Sequence, residues 1–352
     1  MSMDTKAQTG SETTSIKTAR LEAGGVTGSA GTRRAAQLLR EGGTVAFPTE
    51  TVYGLGANAL DSMAVAKIFS AKGRPAWDPL IVHIDALPML PQVAELTDEL
   101  RTSAEKLMRA FWPGPLTLLL PRAAQVPFAV TAARPLVAVR IPKHPIAQEL
   151  IRLAGVPIAA PSANRFGHTS PTTAAHVLAD LDGRIDAVLD GGPASVGVES
   201  TVFDLTARAI YRPGAITAQM LSQVIGEPVQ ILRPSNPSEA AELPSASPGM
   251  AERHYAPRAQ LILAATQAAF TAELAKHPPA DLGVMLPDGW NAGNAAAVFR
   301  WGPWDNAEVL ARLLYLGLRV LDDRGVKVIV CPLPQMGGLG EALRDRLEKA
   351  AK

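Results

Sequence analysis

From Arg33 to about Ile225, short apolar runs alternate with stretches of helical period, and that alternation restricts the region to layered α/β or mixed α+β architectures. The patterns predict helices over 35–41, 62–71, 97–108, 145–154 and 173–181, and strands over 44–47, 80–84, 116–120, 137–141, 158–160, 187–189, 201–205 and 209–212. Residues 227–257 break the alternation; they are rich in Pro, Ser and Ala and read as a linker. Beyond it, strands at 260–264, 283–286, 297–301 and 326–331 and helices at 266–276, 306–323 and 341–350 predict a second, smaller α/β layer. The plan is a disordered polar leader over 1–30, a large domain over 31–225, a linker over 226–257 and a C-terminal domain over 258–352. At 352 residues the chain exceeds one typical domain, and 47% hydrophobic content is enough for two cores.

Within the large domain, Phe47-Pro-Thr-Glu-Thr-Val-Tyr-Gly-Leu-Gly56 and Lys72-Gly-Arg-Pro75 crowd glycines, hydroxyls and two cations around strand-like runs. Gly54 and Gly56 predict a loop free to turn sharply or to approach a ligand, with its amides available to phosphate. In the helix before Lys72, the apolar positions are read as Met63, Ala66, Ile68 and Phe69, which places Lys72 and Arg74 in a loop just past its end. Cations commonly complement a helix C-terminus. Pro75, which stiffens the loop, and His83, returning on the next strand, favour a ligand site instead. As exposed loop charges, Lys72 and Arg74 are expected to be dispensable for folding.

Composition excludes several classes. The net charge of +1 gives no global field for polyanions, so direct RNA binding is expected to be weak or absent. A single cysteine, Cys331, excludes an internal disulfide and any cysteine-cluster zinc site. The leader lacks a signal-peptide core and no run spans a bilayer, so a cytoplasmic protein without stable membrane contact is expected. Neither a Walker-type loop nor a complete dinucleotide glycine fingerprint occurs, and Gly337-Gly-Leu-Gly340 stays unassigned.

A second polar cluster, Ala159-Ala-Pro-Ser-Ala-Asn164 with Gly167-His-Thr-Ser-Pro171, follows an apolar strand, where α/β folds bind ligands. Together with Pro79-Leu-Ile-Val-His83, Trp112-Pro-Gly-Pro-Leu-Thr117, Val139-Arg-Ile-Pro142, Glu199-Ser-Thr-Val202 and Arg212-Pro-Gly214, these segments resemble the YrdC-like family of threonylcarbamoyl-AMP synthases. Ser247-Pro-Gly-Met250, Arg253-His-Tyr-Ala-Pro257 and the closing Arg346-Leu347 resemble the linker and C-terminal domain of its long, two-domain form. The resemblance implies a twisted open α/β catalytic domain followed by a small Rossmann-like domain. It also implies synthesis of threonylcarbamoyl-AMP from L-threonine, bicarbonate or carbon dioxide, and ATP, with release of pyrophosphate. The product would supply the t6A modification at position 37 of ANN-decoding tRNAs, through downstream threonylcarbamoyl-transfer proteins.

Residue by residue, the resemblance assigns Lys72 and Arg74 to the ATP phosphates as the catalytic cations, and Asp78, Leu136, Ser162, Asn164, Ser170, Arg212 and Tyr255 to ATP binding. It assigns Thr51, His83, Arg140, Ala160 and Ser200 to threonine. Arg140 within an apolar strand independently calls for an anion, since a buried guanidinium needs one. No protein metal site is expected; Mg2+ would be held mainly by the ATP phosphates. Tyr255 corresponds to a lid over the site. Two departures from the family pattern stand out: Asp78 replaces a common Asn, either repelling ATP or approaching Mg2+, and Ala251-Glu252 replaces Lys-Tyr in the lid. Two rivals are the carbamoyltransferase module of hydrogenase maturation, which would carry cysteine-rich zinc motifs, and a double-stranded RNA-binding or regulatory protein using the same concave face.

Overall fold

Capping residues set most helix boundaries. Asp61 accepts from the Met63 and Ala64 amides to start one helix, and Gly73, at φ +62°, ends it; Thr173, Thr217, Thr266 and Asn306 cap others in the same way. The computed structural model describes residues 17–24, 28–232 and 254–352. In chain order its large domain runs β1 (Ala19–Glu22), α1 (Ala30–Arg40), β2 (Val45–Phe47), β3 (Gly54–Asn58), α2 (Ser62–Lys72), β4 (Ile81–His83), α3 (Asp98–Phe111), β5 (Leu116–Pro121), α4 (Phe128–Thr131) and β6 (Leu136–Arg140). It continues with α5 (Pro145–Ala154), β7 (Ile158–Ala159), α6 (Ala174–Leu181), β8 (Ala187–Asp190), β9 (Thr201–Asp204), β10 (Ala209–Arg212), α7 (Ala218–Ile225) and β11 (Gln230–Ile231). The strands form one mixed sheet in the order β1-β8-β2-β3-β7-β4-β6-β5-β9-β10-β11.

The C-terminal domain contains β12 (Gln260–Ala264), α8 (Gln267–Leu274), β13 (Leu282–Pro287), β14 (Ala297–Gly302), α9 (Ala307–Asp323), β15 (Val328–Pro332) and α10 (Leu339–Ala350). Its four strands are all parallel, in the order β12-β15-β13-β14, which is the expected open Rossmann-like layer. Its core does not close on itself. Val52 and Val198 of the large domain and Tyr255 of the linker pack into the same apolar cluster as Trp301, Leu314 and Leu347. Gly197 permits that approach: a Cβ there would sit 2.4 Å from the Arg312 Cα on α9, and its φ of +86° already favours glycine.

Three expectations need correction. The leader is not disordered to residue 30, because β1 pairs in parallel with β8 and buries Thr18, whose hydroxyl donates to the Ile185 carbonyl at 2.9 Å; residues 1–16 lie outside the described residues. Gly54 and Gly56 lie in strand β3, and their amides serve no loop. Gly56 is instead a packing glycine, since a Cβ there would come 2.8 Å from both Ile158 and Phe47 side-chain carbons. Finally, α2 buries Ala64, Val65, Ile68, Ala71 and Lys72 and leaves Met63 exposed, so Lys72 lies on the buried face of the helix and not beyond its end.

Candidate functional site

A cavity opens where the β2–β3 turn, the ends of β4, β6 and β7, and the segment leading into β9 converge. Thr51, His83, Arg140, Ala160 and Ser200, the residues expected to meet threonine, all line it. Arg140 and His83 face each other in the parallel pairing of β4 with β6. Arg140 donates from Nε to the Gly114 carbonyl at 3.1 Å and from Nη1 to Thr51 Oγ1 at 2.9 Å, and its Nη2 lies 2.5 Å from a Glu50 oxygen. The anion required by this guanidinium is therefore present in the chain itself. Only the Nε and Nη1 contacts are hydrogen bonds, so Nη2 retains donor capacity beside its ion pair with Glu50. His83 is buried; desolvation first, and Arg140 second, push it down to about 3, so its ring is neutral near pH 7. Among the described residues its Nδ1 makes no hydrogen bond, which leaves a polar atom for a ligand.

The expected cation loop behaves differently. Lys72 is buried and donates to the carbonyls of Ser162, at 2.6 Å, and Asn164, so it ties the second polar cluster to α2. Burial, with Arg74 adding to it, holds its ammonium well below the usual lysine range. Arg74 lines the cavity, but it also donates to the Asp78 and Pro79 carbonyls and pairs with the Asp78 carboxylate at 2.9 Å. Asp78, fully buried, thus serves as Arg74's internal counter-ion. The expectation that these cations are dispensable for folding fails for the same reason: both are buried and bonded to backbone.

Ser162 and Arg212 also line the cavity, whereas Asn164, Ser170 and Leu136 do not. Asn164 donates to the carbonyls of Arg165 and His168, shaping its own loop, and Leu136 packs beside Ile81, Leu119 and Val202. Ser200 accepts from Arg212 at 3.2 Å and shares a 2.7 Å hydrogen bond with Thr117. Ser170 donates at 2.5 Å to Glu199, a cavity residue that the sequence reading passed over. The other partners of Glu199 come from the C-terminal domain. The Tyr315 hydroxyl lies 2.9 and 3.1 Å from the two carboxylate oxygens, and Arg346 Nε donates at 2.7 Å. Burial opposes the charge on Glu199, yet Arg346 and Arg212 hold its carboxyl below the ordinary range. Glu50 was likewise missed; the signal for both was an isolated carboxylate inside an otherwise apolar and hydroxylic run.

His254 and Tyr255 cover the cavity from the linker. Tyr255, at φ +65°, lies beneath Arg346 and against Tyr315, and the next residue, Ala256, donates to the Gly167 carbonyl at 2.8 Å. The space left at water size is about 40 Å³, and the cavity remains partly open to solvent. The departure at Ala251-Glu252 lies outside the described residues. Among the described residues no cluster of three acidic, His or Cys side chains is placed to hold a metal, and the carboxylates near the cavity, Glu50, Asp78 and Glu199, are each paired with an arginine.

With this geometry in place, comparisons with known proteins are informative. A family described as "Telomere recombination" matches residues 37–214, and a second, described as "Threonylcarbamoyl-AMP synthase, C-terminal domain", matches residues 216–352. A threonylcarbamoyl-AMP synthase of Pyrococcus abyssi is 45% identical over 91% of this chain and 93% of its own, and one of Bacillus subtilis is 44% identical over 90% and 92%. Among solved structures, P. abyssi Sua5 complexed with L-threonine superposes with a TM-score of 0.82 at 41% identity, covering 96% of this chain and 97% of that one.

Proposed function

This chain belongs to the threonylcarbamoyl-AMP synthase family in its two-domain form, and from that premise we propose which of its residues carry the reaction. The activity is condensation of L-threonine, bicarbonate and ATP into threonylcarbamoyl-AMP, with pyrophosphate and water released. The threonine amine takes up carbon dioxide, and an oxygen of the resulting carbamate attacks the α-phosphorus as the bond to pyrophosphate breaks. The protein must hold two anions together and stabilise the charge that passes to pyrophosphate.

The observation that carries the reading is the convergence of Thr51, His83, Arg140, Ala160 and Ser200 with Arg74, Ser162 and Arg212 on one cavity. Arg140, fixed by Glu50 and Gly114, directs its remaining donors to the threonine carboxylate. Neutral His83 and the Thr51 and Ser200 hydroxyls take the substrate's hydroxyl and amine. Arg74 and Arg212 face the phosphates, while Lys72 acts from behind by fixing the carbonyls of Ser162 and Asn164. Ser170 supports that nucleotide side through Glu199. Magnesium enters with ATP as part of the substrate, and no step is assigned to a resident ion. Rate arises from positioning and charge stabilisation, so no general base is named. Closure of His254 and Tyr255 keeps water from the labile adenylate. The product passes to tRNA threonylcarbamoyl-transfer proteins, and the work is cytoplasmic; among the described residues no helix is long and apolar enough to cross a membrane.

The test is pyrophosphate release with mass-spectrometric product detection, using ATP, magnesium and bicarbonate with threonine, serine or no amino acid. A threonine- and bicarbonate-dependent adenylate is expected. ATP left intact under all conditions would favour the RNA-binding alternative.

A further inference from the structure

The most connected carboxylate at the cavity is held from outside the catalytic domain. Glu199 lines the site, yet two of the three side chains that donate to its carboxylate come from helices of the C-terminal domain: Tyr315 on α9, whose hydroxyl spans both oxygens, and Arg346 on α10. The third is Ser170, at 2.5 Å. Arg346 reaches further, donating from Nη2 to the Pro213 carbonyl at 3.0 Å, next to Arg212. One buried guanidinium thus joins two separate loops, the Ser170 loop through Glu199 and the Arg212–Pro213 turn directly. Asp345 pairs with both Arg346 and Lys349 and completes the charge arrangement on the same helix.

We infer that Arg346 and Tyr315 are positioning residues for the nucleotide half of the site, clamping Glu199, and with it Ser170 and the Arg212 turn, in the geometry that receives ATP. Physical bookkeeping supports a role beyond packing. A buried carboxylate with one partner removed either takes up a proton or stays charged at high cost, and while charged it is drawn to whatever cation remains beside it. Arg212 also acts on the charge of Glu199, and it is bonded to both the carbonyl and the hydroxyl of Ser200 in the cavity wall. Loss of Arg346 therefore draws Arg212 toward Glu199 and away from a phosphate. Arg140, the carboxylate anchor of the threonine half, has no comparable dependence, being held by Glu50, Thr51 and Gly114 within its own domain; Ser200, bonded to Arg212, is where the two halves touch. The clamp gives the C-terminal domain a specific task in adenylation, and it rests on the assignment of Ser170 and Arg212 to the nucleotide made above.

The test is steady-state kinetics of the full chain with Arg346→Met, Arg346→Lys, Tyr315→Phe, Glu199→Gln and the Glu199→Gln/Arg346→Met pair, each checked for folding by thermal melting. Arg346→Met is expected to raise KM for ATP about tenfold or more while KM for threonine stays within about twofold, since Arg140 keeps its own partners. Arg346→Lys should recover part of that loss, because one ammonium cannot hold both Glu199 and Pro213. Tyr315→Phe removes only a hydroxyl and keeps the ring packing, so it reports even if Arg346→Met folds poorly; a rise in KM for ATP of about threefold is expected. In the Glu199→Gln background, Arg346→Met should cost markedly less than in the wild type, a non-additivity of about tenfold. Unchanged KM for ATP in folded Tyr315→Phe and Arg346→Lys, or additive effects in the cycle, would overturn the clamp. Failure of the synthase assignment would appear separately, as absence of threonine-dependent adenylate from the wild-type protein.

Discussion

The two halves of the cavity solve one problem, keeping charge ready in a buried site, with different partners. On the threonine side, Arg140 finds Glu50, Thr51 and Gly114 inside the large domain, and the arrangement needs no side chain from elsewhere. On the nucleotide side, Glu199 depends on Tyr315 and Arg346 across the domain boundary, and the linker residues His254 and Tyr255 lie between. The difference teaches that a buried ion pair is a means of specifying geometry more than a source of stability, since its desolvation cost offsets much of its attraction. Where the pair is internal, the geometry is fixed by one fold. Where it crosses domains, the geometry becomes conditional on how the domains meet.

The comparison can be broken most severely on its self-contained side. Glu50→Ala leaves Arg140 buried with its charge unpaired, a change that costs about 3–5 kcal/mol in comparable pairs. Chemical denaturation should show that loss, and threonine-dependent pyrophosphate release should fall with it. A melting temperature equal to wild type would show that the Arg140 network is not the brace described. A smaller effect is expected from pH. His83 titrates near 3 in the fold against about 6.5 when unfolded, and His254 is also held well below its ordinary value by burial and the neighbouring Arg74 and Lys72. Between these values the unfolded chain binds more protons, so stability is retained above about pH 6.5 and declines as pH falls toward 3. His83→Gln should flatten part of that decline, and an identical pH dependence in the variant would contradict the assignment.

Much of this architecture was legible in the sequence, for identifiable reasons. The predicted strand at 260–264 and helix at 145–154 match the observed elements because strong apolar runs were bounded by caps or proline. Strand β3 was read as a glycine loop because Gly54 and Gly56 mimic turn chemistry; what glycine supplies there is room for Phe47 and Ile158, a tertiary requirement with no local signature. Ending the helix at Ala71 puts Lys72 in a loop, whereas its spacing from Ile68 and Val65 puts it on the buried face of α2. Arg140 announced itself as a charge in an apolar strand, but its counter-ion was sought in the substrate and stood ninety residues earlier at Glu50. The Glu199 clamp could not be read at all, because Tyr315 and Arg346 lie more than a hundred residues away in another domain and only the packing of α9 and α10 brings them there.

The account stands most directly on the division between the two halves, and calorimetric binding of L-threonine and of ATP to the wild-type chain and to Arg346→Met tests it. It predicts threonine affinity within about twofold of wild type and ATP affinity weakened about tenfold or more, a difference of about 1.4 kcal/mol at least. Equal weakening of both ligands, or no change in either, would contradict it.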